Sequence, residues 1–317
     1  MQPRIGIIGC GGIAAHHANA CRANGATVTA LADLHRPAAE KMASGLPGNP
    51  RVFDTADELI ESGLADVVCI CTPPADHEHI AVAALARGIH VICEKPLAHT
   101  MESGRRVLEA AERSSALLMP GFRHRFLPAI RRIRELVVAG AIGEIVYLNN
   151  VFAGPASFLK DRWFGKRAIA GGGALMDTTS HSVDLFRFLC GEIGGQRGFT
   201  HTSLPGIDVE DTGILIVKSE QGAVGAFTAS WIAGTGSAVI DIMGTKGRIF
   251  FDYDRDTEIR VLPAEGGEPQ IIAVKSSLGF VEEMAHFFRA IRGEEPLGCT
   301  ARDGLRALEI IQNVYTA

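Results

Sequence analysis

Apolar and polar positions along the first third of the chain alternate between two periods. Short, almost continuously apolar runs at Arg4–Ile8, Thr27–Ala32, Val67–Cys71, His90–Cys93 and Ala116–Met119 predict parallel strands covered on both faces. Between them the spacing becomes helical, with Ile80, Ala83, Ala84 and Arg87 on one stripe and Met101, Arg105, Leu108 and Glu112 on another. Strand and helix in strict alternation predict an α/β domain with a doubly wound parallel sheet. Further on, Ile214–Lys218 and Val224–Ala229 flank Gln221-Gly222 as a hairpin, and Ile240–Met243, Ile249–Phe251 and Ile259–Leu262 supply more short strands. A closing helix over Arg302–Val314 is expected to dock on either domain. At 317 residues the chain is long for one core, which predicts two domains, 1–121 and 122–317.

Composition mainly excludes. With 31 basic and 36 acidic residues the net charge is −5, which gives no electrostatic reason to expect nucleic acid. The densest basic run is Arg123, His124, Arg125, Arg131, Arg132 and Arg134; Ile130, Ile133 and Val137 interleave it at helical spacing, so Arg131, Arg132 and Arg134 read as a solvated helix face. Arg4 runs straight into the first apolar strand, unlike a signal peptide, and no apolar stretch reaches the roughly 18 residues that cross a bilayer. Seven cysteines include no Cys-x-x-Cys, and Cys10, Cys69, Cys71 and Cys93 sit in or beside apolar strands as small hydrophobes. A reducing cytoplasm is expected, not a disulfide framework.

The first strand ends in Gly9-Cys10-Gly11-Gly12-Ile13-Ala14, a G-x-G-x-x-A pattern opening directly into a helix. Gly9 permits the tight turn, Gly11 lets a pyrophosphate approach the backbone, and Ala14 lets the helix pack on its strand. The helix start offers unpaired N–H groups and a positive dipole end to phosphates. Glycine turns are also common as plain structure. Here a preceding strand, a following helix and Asp33 about 20 residues on favour a dinucleotide site at Gly9, Gly11, Gly12 and Ile13, with Asp33, Leu34 and Arg36 at the adenosine end. A carboxylate at Asp33 accepts both ribose hydroxyls and repels a 2′-phosphate, favouring NAD; Arg36 nearby leaves NADP possible.

Two further segments, Cys71-Thr72-Pro73-Pro74-Ala75-Asp76-His77 and Glu94-Lys95-Pro96, follow predicted strands at their carboxyl ends, where open α/β sheets bind ligands. Alone, one reads equally as a rigid loop and the other as an ion pair ahead of a helix. With the glycine turn they make the chain resemble the glucose–fructose oxidoreductase / inositol dehydrogenase / rhizopine-catabolism (Gfo/Idh/MocA) family. The resemblance continues through Gly121-Phe122-Arg123-His124-Arg125-Phe126, Gly140-Ala141-Ile142-Gly143, Gly171-Gly172-Gly173-Ala174-Leu175-Met176-Asp177 with His181, and Asp303-Gly304-Leu305-Arg306-Ala307-Leu308.

The resemblance implies a Rossmann domain followed by an α+β domain with a large, open, mostly antiparallel sheet. It also implies a homodimer or homotetramer packed sheet against sheet. Thr72, Pro73, His77, Glu94 and Lys95 would line the nicotinamide half, and the Lys95–Pro96 peptide would be cis. On a helix beginning near Ala174, Asp177 and His181 are four residues apart and share a face. Such a pair is often merely structural, but family members place their catalytic Asp and His at these positions, with Lys95 as third member. The implied reaction is hydride transfer between a secondary alcohol of a sugar, cyclitol or related polyol and the nicotinamide ring. A metal-dependent reading built on His77, His79, Asp177 and His181 lacks any HExxH or zinc-like spacing, so no metal is expected. Alternatives within the family are a redox-neutral, NAD-dependent glycosidase and a non-catalytic dinucleotide-binding regulator. The segment Phe152–Arg167, with Phe158, Lys160, Arg162, Trp163, Phe164 and Lys166, is this chain's own. It reads either as a surface loop or as a substrate wall in which Trp163 stacks on a sugar face. Arg123, Trp163, Lys95 and His181 are the substrate-contact candidates.

Overall fold

The structure, a computed structural model, describes residues 2–264 and 266–316. Two compact units divide the chain: one runs through Arg123 and includes Phe280–Leu308, the other comprises His124–Gly279 and the residues from Glu309. The first is built as β1 (Arg4–Ile8), α1 (Gly12–Ala23), β2 (Thr27–Ala32), α2 (Arg36–Ser44), β3 (Arg51–Phe53), α3 (Ala56–Glu61), β4 (Val67–Ile70), α4 (Pro74–Ala86), β5 (His90–Cys93), α5 (Met101–Arg113) and β6 (Leu118–Pro120). Its six strands are parallel in the order β3-β2-β1-β4-β5-β6, so the strand order reverses between β1 and β4. Only β3 was invisible to the apolar pattern, because three residues, Arg51, Val52 and Phe53, are too few to show a period. The last strand sits later than its expected span at Ala116–Met119, since Ala116 precedes the first paired residue, Leu118. Thr55 and Glu58 make a reciprocal capping box at α3, and Thr100 caps α5.

The second unit holds α6 (Pro128–Val138), β7 (Ile145–Pro155), α7 (Arg167–Ala170), α8 (Ser180–Cys190) and β8 (Ile193–His201), then β9 (Thr212–Ser219), β10 (Val224–Ser230), β11 (Ile232–Gly244), β12 (Gly247–Asp252), β13 (Glu258–Pro263) and β14 (Gln270–Ala273). The strands form one eight-stranded sheet ordered β14-β13-β12-β11-β7-β10-β9-β8, antiparallel except where β10 runs parallel to β7. The expected hairpin is β9–β10, turning through Gly222 with φ of 102°. Leu148, Leu215, Phe227, Ile240 and Ile249 are buried on one face. Phe186 of α8 meets Phe227 edge-on there, with ring centroids 5.8 Å apart. On the opposite face Ile216 and Met243 remain exposed, and Arg248 pairs with Asp241.

After β14 come α9 (Phe280–Ile291) and α10 (Ala301–Tyr315). Here the two-way cut at residue 121 needs correction, because α9 returns to the first unit. Its stripe of Phe280, Met284, Phe287 and Phe288 is buried, and Phe280 stacks on His16 of α1 with centroids 4.9 Å apart. Gly104 of α5 leaves room for Leu305 and Leu308 of α10, which a Cβ would press at 2.8 and 3.1 Å. Sequence periodicity finds α10 but not α9, and does not show which core receives either.

Candidate active site

In the first unit the chemistry gathers at the carboxyl ends of β1, β2, β4 and β5. Gly9 has φ of 87°, and a Cβ there would lie 2.7 Å from the Cys71 carbonyl carbon, so the loops after β1 and β4 touch only because Gly9 has no side chain. Gly11 and Gly12 are the converse: nothing lies within 4 Å of where their Cβ atoms would be. Gly11 is the N-cap of α1 and offers no side-chain cap; its carbonyl accepts the Ala14 N–H at 3.2 Å, and the Gly12 and Ile13 N–H groups have no cap from it. Ala14 is fully buried.

Asp33 is tied to this turn. Its Oδ2 accepts the Cys10 N–H at 2.7 Å and its Oδ1 accepts the His35 N–H at 2.7 Å. Leu34 beside it is 87% exposed, an apolar side chain with no core to join. Arg36 is committed elsewhere: its Nε donates to Glu40 at 2.8 Å and its Nη1 to both Asp54 oxygens at 2.9 Å. A role for Arg36 at a 2′-phosphate therefore competes with two carboxylates already in place. Cys10 is no nucleophile, because burial and then the Asp33 charge push its thiol up to about 12.

Around β4 and β5 the Thr72 Oγ1 is buried with no hydrogen-bond partner. Pro73 is the N-cap of α4. His77 is wholly buried, its Nε2 2.9 Å from the Thr72 carbonyl and its Nδ1 2.9 Å from that of Pro96. Burial pushes the imidazole below its ordinary value against those two carbonyls. A neutral ring has one N–H, so it donates to one carbonyl at a time. His77 thus ties the loops that follow β4 and β5 together. His79 belongs to an exposed pair with Asp57. The Lys95–Pro96 peptide is cis, as the resemblance implied. Glu94 is buried and 2.7 Å from His17 Nε2 of α1. Burial alone would raise its carboxyl; the His17 hydrogen bond and the charges of His17, Lys95 and Arg123 outweigh this and hold it below the usual carboxylate range. Arg123 places its guanidinium 5.2 Å from the Phe280 ring centroid.

In the second unit the expected helix does begin at Ala174, but Leu175–Thr179 is a π-helical turn before α8 becomes regular. The α-helical spacing assumed for Asp177 and His181 therefore does not apply, since the wider i→i+5 turn separates them. Asp177 is half-buried within that turn and accepts the Thr178 hydroxyl at 3.4 Å. His181 is 7% exposed and stacks on His124, the two rings 4.0 Å apart and 6° from parallel. Phe152 and Tyr253 flank His124 with centroids at 5.5 and 5.3 Å. His124 occupies a motif position without having been singled out, and only the fold brings it to His181.

The aromatic and basic segment is more ordered than a loop. It extends β7 to Pro155, then forms 3-10 turns at Ser157–Asp161 and Trp163–Gly165 before α7. Trp163 stacks on Phe164 at 3.7 Å, and Phe164 packs against Ala174, Val209, Ala229 and Trp231. Among the basic residues expected on a solvated face, Arg132 pairs with Glu135, while Arg134 donates to the Phe188 carbonyl at 2.6 Å. The preceding Arg125 is buried in a two-point pair with Asp184 at 2.7 and 2.6 Å. Among the described residues no group of three or more His, Cys, Asp or Glu side chains is arranged to hold a metal, and no helix is long and apolar enough to cross a membrane.

The family description "oxidoreductase family, NAD-binding Rossmann fold" matches residues 3–122, and the GFO/IDH/MocA C-terminal domain matches residues 130–250. A myo-inositol 2-dehydrogenase of Thermotoga maritima is 28% identical over 96% of this chain and 93% of its own. A levoglucosan dehydrogenase of Pseudarthrobacter phenanthrenivorans is 33% identical over 64% of this chain and 59% of its own. In fold, the chain superposes on a levoglucosan dehydrogenase in complex with NADH and levoglucosan with a TM-score of 0.93, at 24% identity, covering 100% of this chain and 96% of that one. An open glycine cradle, an anchored Asp33 and the orphaned Thr72 hydroxyl fit an NAD molecule.

Proposed function

Because the chain belongs to the GFO/IDH/MocA oxidoreductase family with its NAD-binding Rossmann fold, we propose that it is an NAD-dependent dehydrogenase of a sugar, cyclitol or related polyol. The observation that carries this reading is the cradle at Gly11 and Gly12, open in front and anchored behind by Asp33. The inositol and levoglucosan dehydrogenases among its relatives supply the substrate class.

Gly9, Gly11, Gly12 and Ile13 hold the pyrophosphate, Asp33 the adenosine ribose with Leu34 against the adenine, and Thr72, Pro73, Glu94 and Lys95 the nicotinamide half. When bound, NAD supplies the acceptor for a hydride leaving the carbinol carbon with its electron pair. His181 takes the hydroxyl proton, Asp177 stabilises the charge that results, and Lys95 donates a hydrogen bond to the oxygen as it becomes a carbonyl. Arg123 and Trp163 hold the rest of the substrate. The exposed face of the second unit's sheet, with Ile216 and Met243, supports a homodimer or homotetramer packed sheet to sheet. Free cysteines throughout support a cytoplasmic protein.

A panel of sugars and inositols, followed by nicotinamide absorbance with NAD and with NADP, tests the reading. Turnover of at least one polyol with NAD is expected. Absence of NAD(H) binding at millimolar concentration overturns it.

A further inference from the structure

The π turn carrying Asp177 begins on an unusual support, a buried carboxylate. Glu210 is 3% exposed, and its Oε1 accepts three hydrogen bonds: from the Gly173 and Leu175 N–H groups, both at 3.0 Å, and from the Tyr315 hydroxyl at 2.6 Å. Its own carbonyl accepts the Ala174 N–H at 2.9 Å. Its Oε2 is buried without a hydrogen bond, with Arg167 Nη2 at 4.0 Å, and the Arg167 guanidinium lies 5.0 Å from the Tyr315 ring centroid. A Cβ on Gly173 would overlap the Glu210 carbonyl, and one on Gly172 would overlap the Tyr315 hydroxyl. Tyr315, the last helical residue of α10, is thus locked onto the first turn of another helix.

We propose that Glu210, held by Tyr315, is a positioning residue that sets the register of the π turn and so the aim of Asp177 and His181. The inference rests on the reading that these two perform the proton chemistry. An i→i+5 turn is rare and occurs mostly as a single turn inside an α-helix. Glu210 fixes this end by taking the N–H groups on either side of Ala174. The Asp177 N–H donates to the carbonyl of the clamped Gly173 at 2.9 Å, so without that clamp the turn loses its fixed start and Asp177 shifts relative to His181, four residues on. The Tyr315 hydroxyl stays protonated, because burial and then the Glu210 charge push it well above its ordinary value while Arg167 and the Met176 backbone pull the other way. It is therefore a donor to Glu210 at any pH near neutrality.

The test is Tyr315→Phe, which removes one oxygen and keeps the ring, made alone and together with His181→Asn. Since misplacement by about 1 Å can cost on the order of a hundredfold, Tyr315→Phe is expected to lower kcat about tenfold with the NADH Kd unchanged. Combined with His181→Asn it should lower kcat further by less than about twofold, because the group being aimed is gone. Amide hydrogen exchange at Gly173 and Leu175 should quicken in Tyr315→Phe, with exchange in β1 unchanged. An equal loss in both backgrounds, or unaltered exchange at Gly173 and Leu175, overturns the proposal. If His181→Asn is itself fully active, the assignment of His181 falls, and the clamp is then judged on the exchange result alone.

Discussion

Asp33 and Glu210 are both carboxylates that accept two backbone N–H groups beside the start of a helix, yet they leave those helices in opposite states. Asp33 takes its N–H groups from Cys10 and His35, outside α1, and is itself half-buried. Gly11 has no side chain to cap with, so the start of α1 keeps the Gly12 and Ile13 donors open. Glu210 takes the Gly173 and Leu175 N–H groups at the start of the π turn and is sealed by Tyr315. That helix end offers nothing to an anion and serves as a platform for side chains. One carboxylate therefore holds a loop and leaves the donors of the neighbouring helix start open; the other consumes the donors of its helix start.

The largest expected effect separates what the platform carries from what the cradle holds. His181→Asn should lower kcat by about 10²–10⁴-fold while leaving NADH affinity nearly intact, as general acid–base catalysis is worth that much. Stopped-flow or steady-state kinetics with a titration of NADH in the same variant checks both halves of the statement. Activity within about threefold of wild type would remove His181 from the chemistry. Lys95→Met should be at least as damaging to kcat and should also weaken NADH, because Lys95 stands at the cofactor's end of the proposed site. Unchanged NADH affinity in Lys95→Met would confine Lys95 to the substrate.

Next comes the buried pair beneath the cradle. Removing the His17 partner of a buried carboxylate costs roughly 3 kcal/mol, so His17→Ala should lower Tm by about 5–10 °C. The Glu94 carboxyl is depressed in the folded protein, so its contribution is complete above the unfolded value of about 4.3 and is lost as pH falls through the lower, folded value. The Tm gap between wild type and His17→Ala should therefore narrow as pH drops below about 4.3. A gap that stays constant to pH 3 would show that His17 acts by packing alone.

The same contrast explains what could be read from the chain. Gly9, Gly11 and Ala14 were legible because each meets a steric demand of the backbone, and such demands survive in one dimension. The stripe Ala14, His17, Ala18 and Cys21 buries one face of α1, so His17 needed a partner, but only the fold brings Glu94 within 2.7 Å from 77 residues away. Glu210 and Tyr315 are 105 residues apart and follow no local period. The π turn was missed for another reason: a helix start at Ala174 was expected correctly, but apolar spacing over five residues does not separate i→i+4 from i→i+5 bonding. His77 carries a contact that its motif did not show: its two nitrogens meet carbonyls of both loops.

The smallest expected effect returns to Asp33 and asks whether anchoring and ligand recognition are separable. Each of its oxygens already accepts one N–H, and a carboxylate oxygen has a second lone pair for a ribose hydroxyl. Asp33→Ser removes the charge that repels a 2′-phosphate and shortens the reach to Cys10. The ratio of kcat/KM for NAD over NADP should fall about tenfold, the equivalent of one hydrogen bond to a charged group. Arg36 sets the limit on the gain in NADP, since its guanidinium would have to leave Glu40 and Asp54 to meet the phosphate. Adding Asp54→Asn should release it and raise NADP use further. If Asp33→Ser weakens both cofactors equally and Asp54→Asn adds nothing, Asp33 is only the anchor of the glycine turn, and discrimination between the cofactors resides elsewhere.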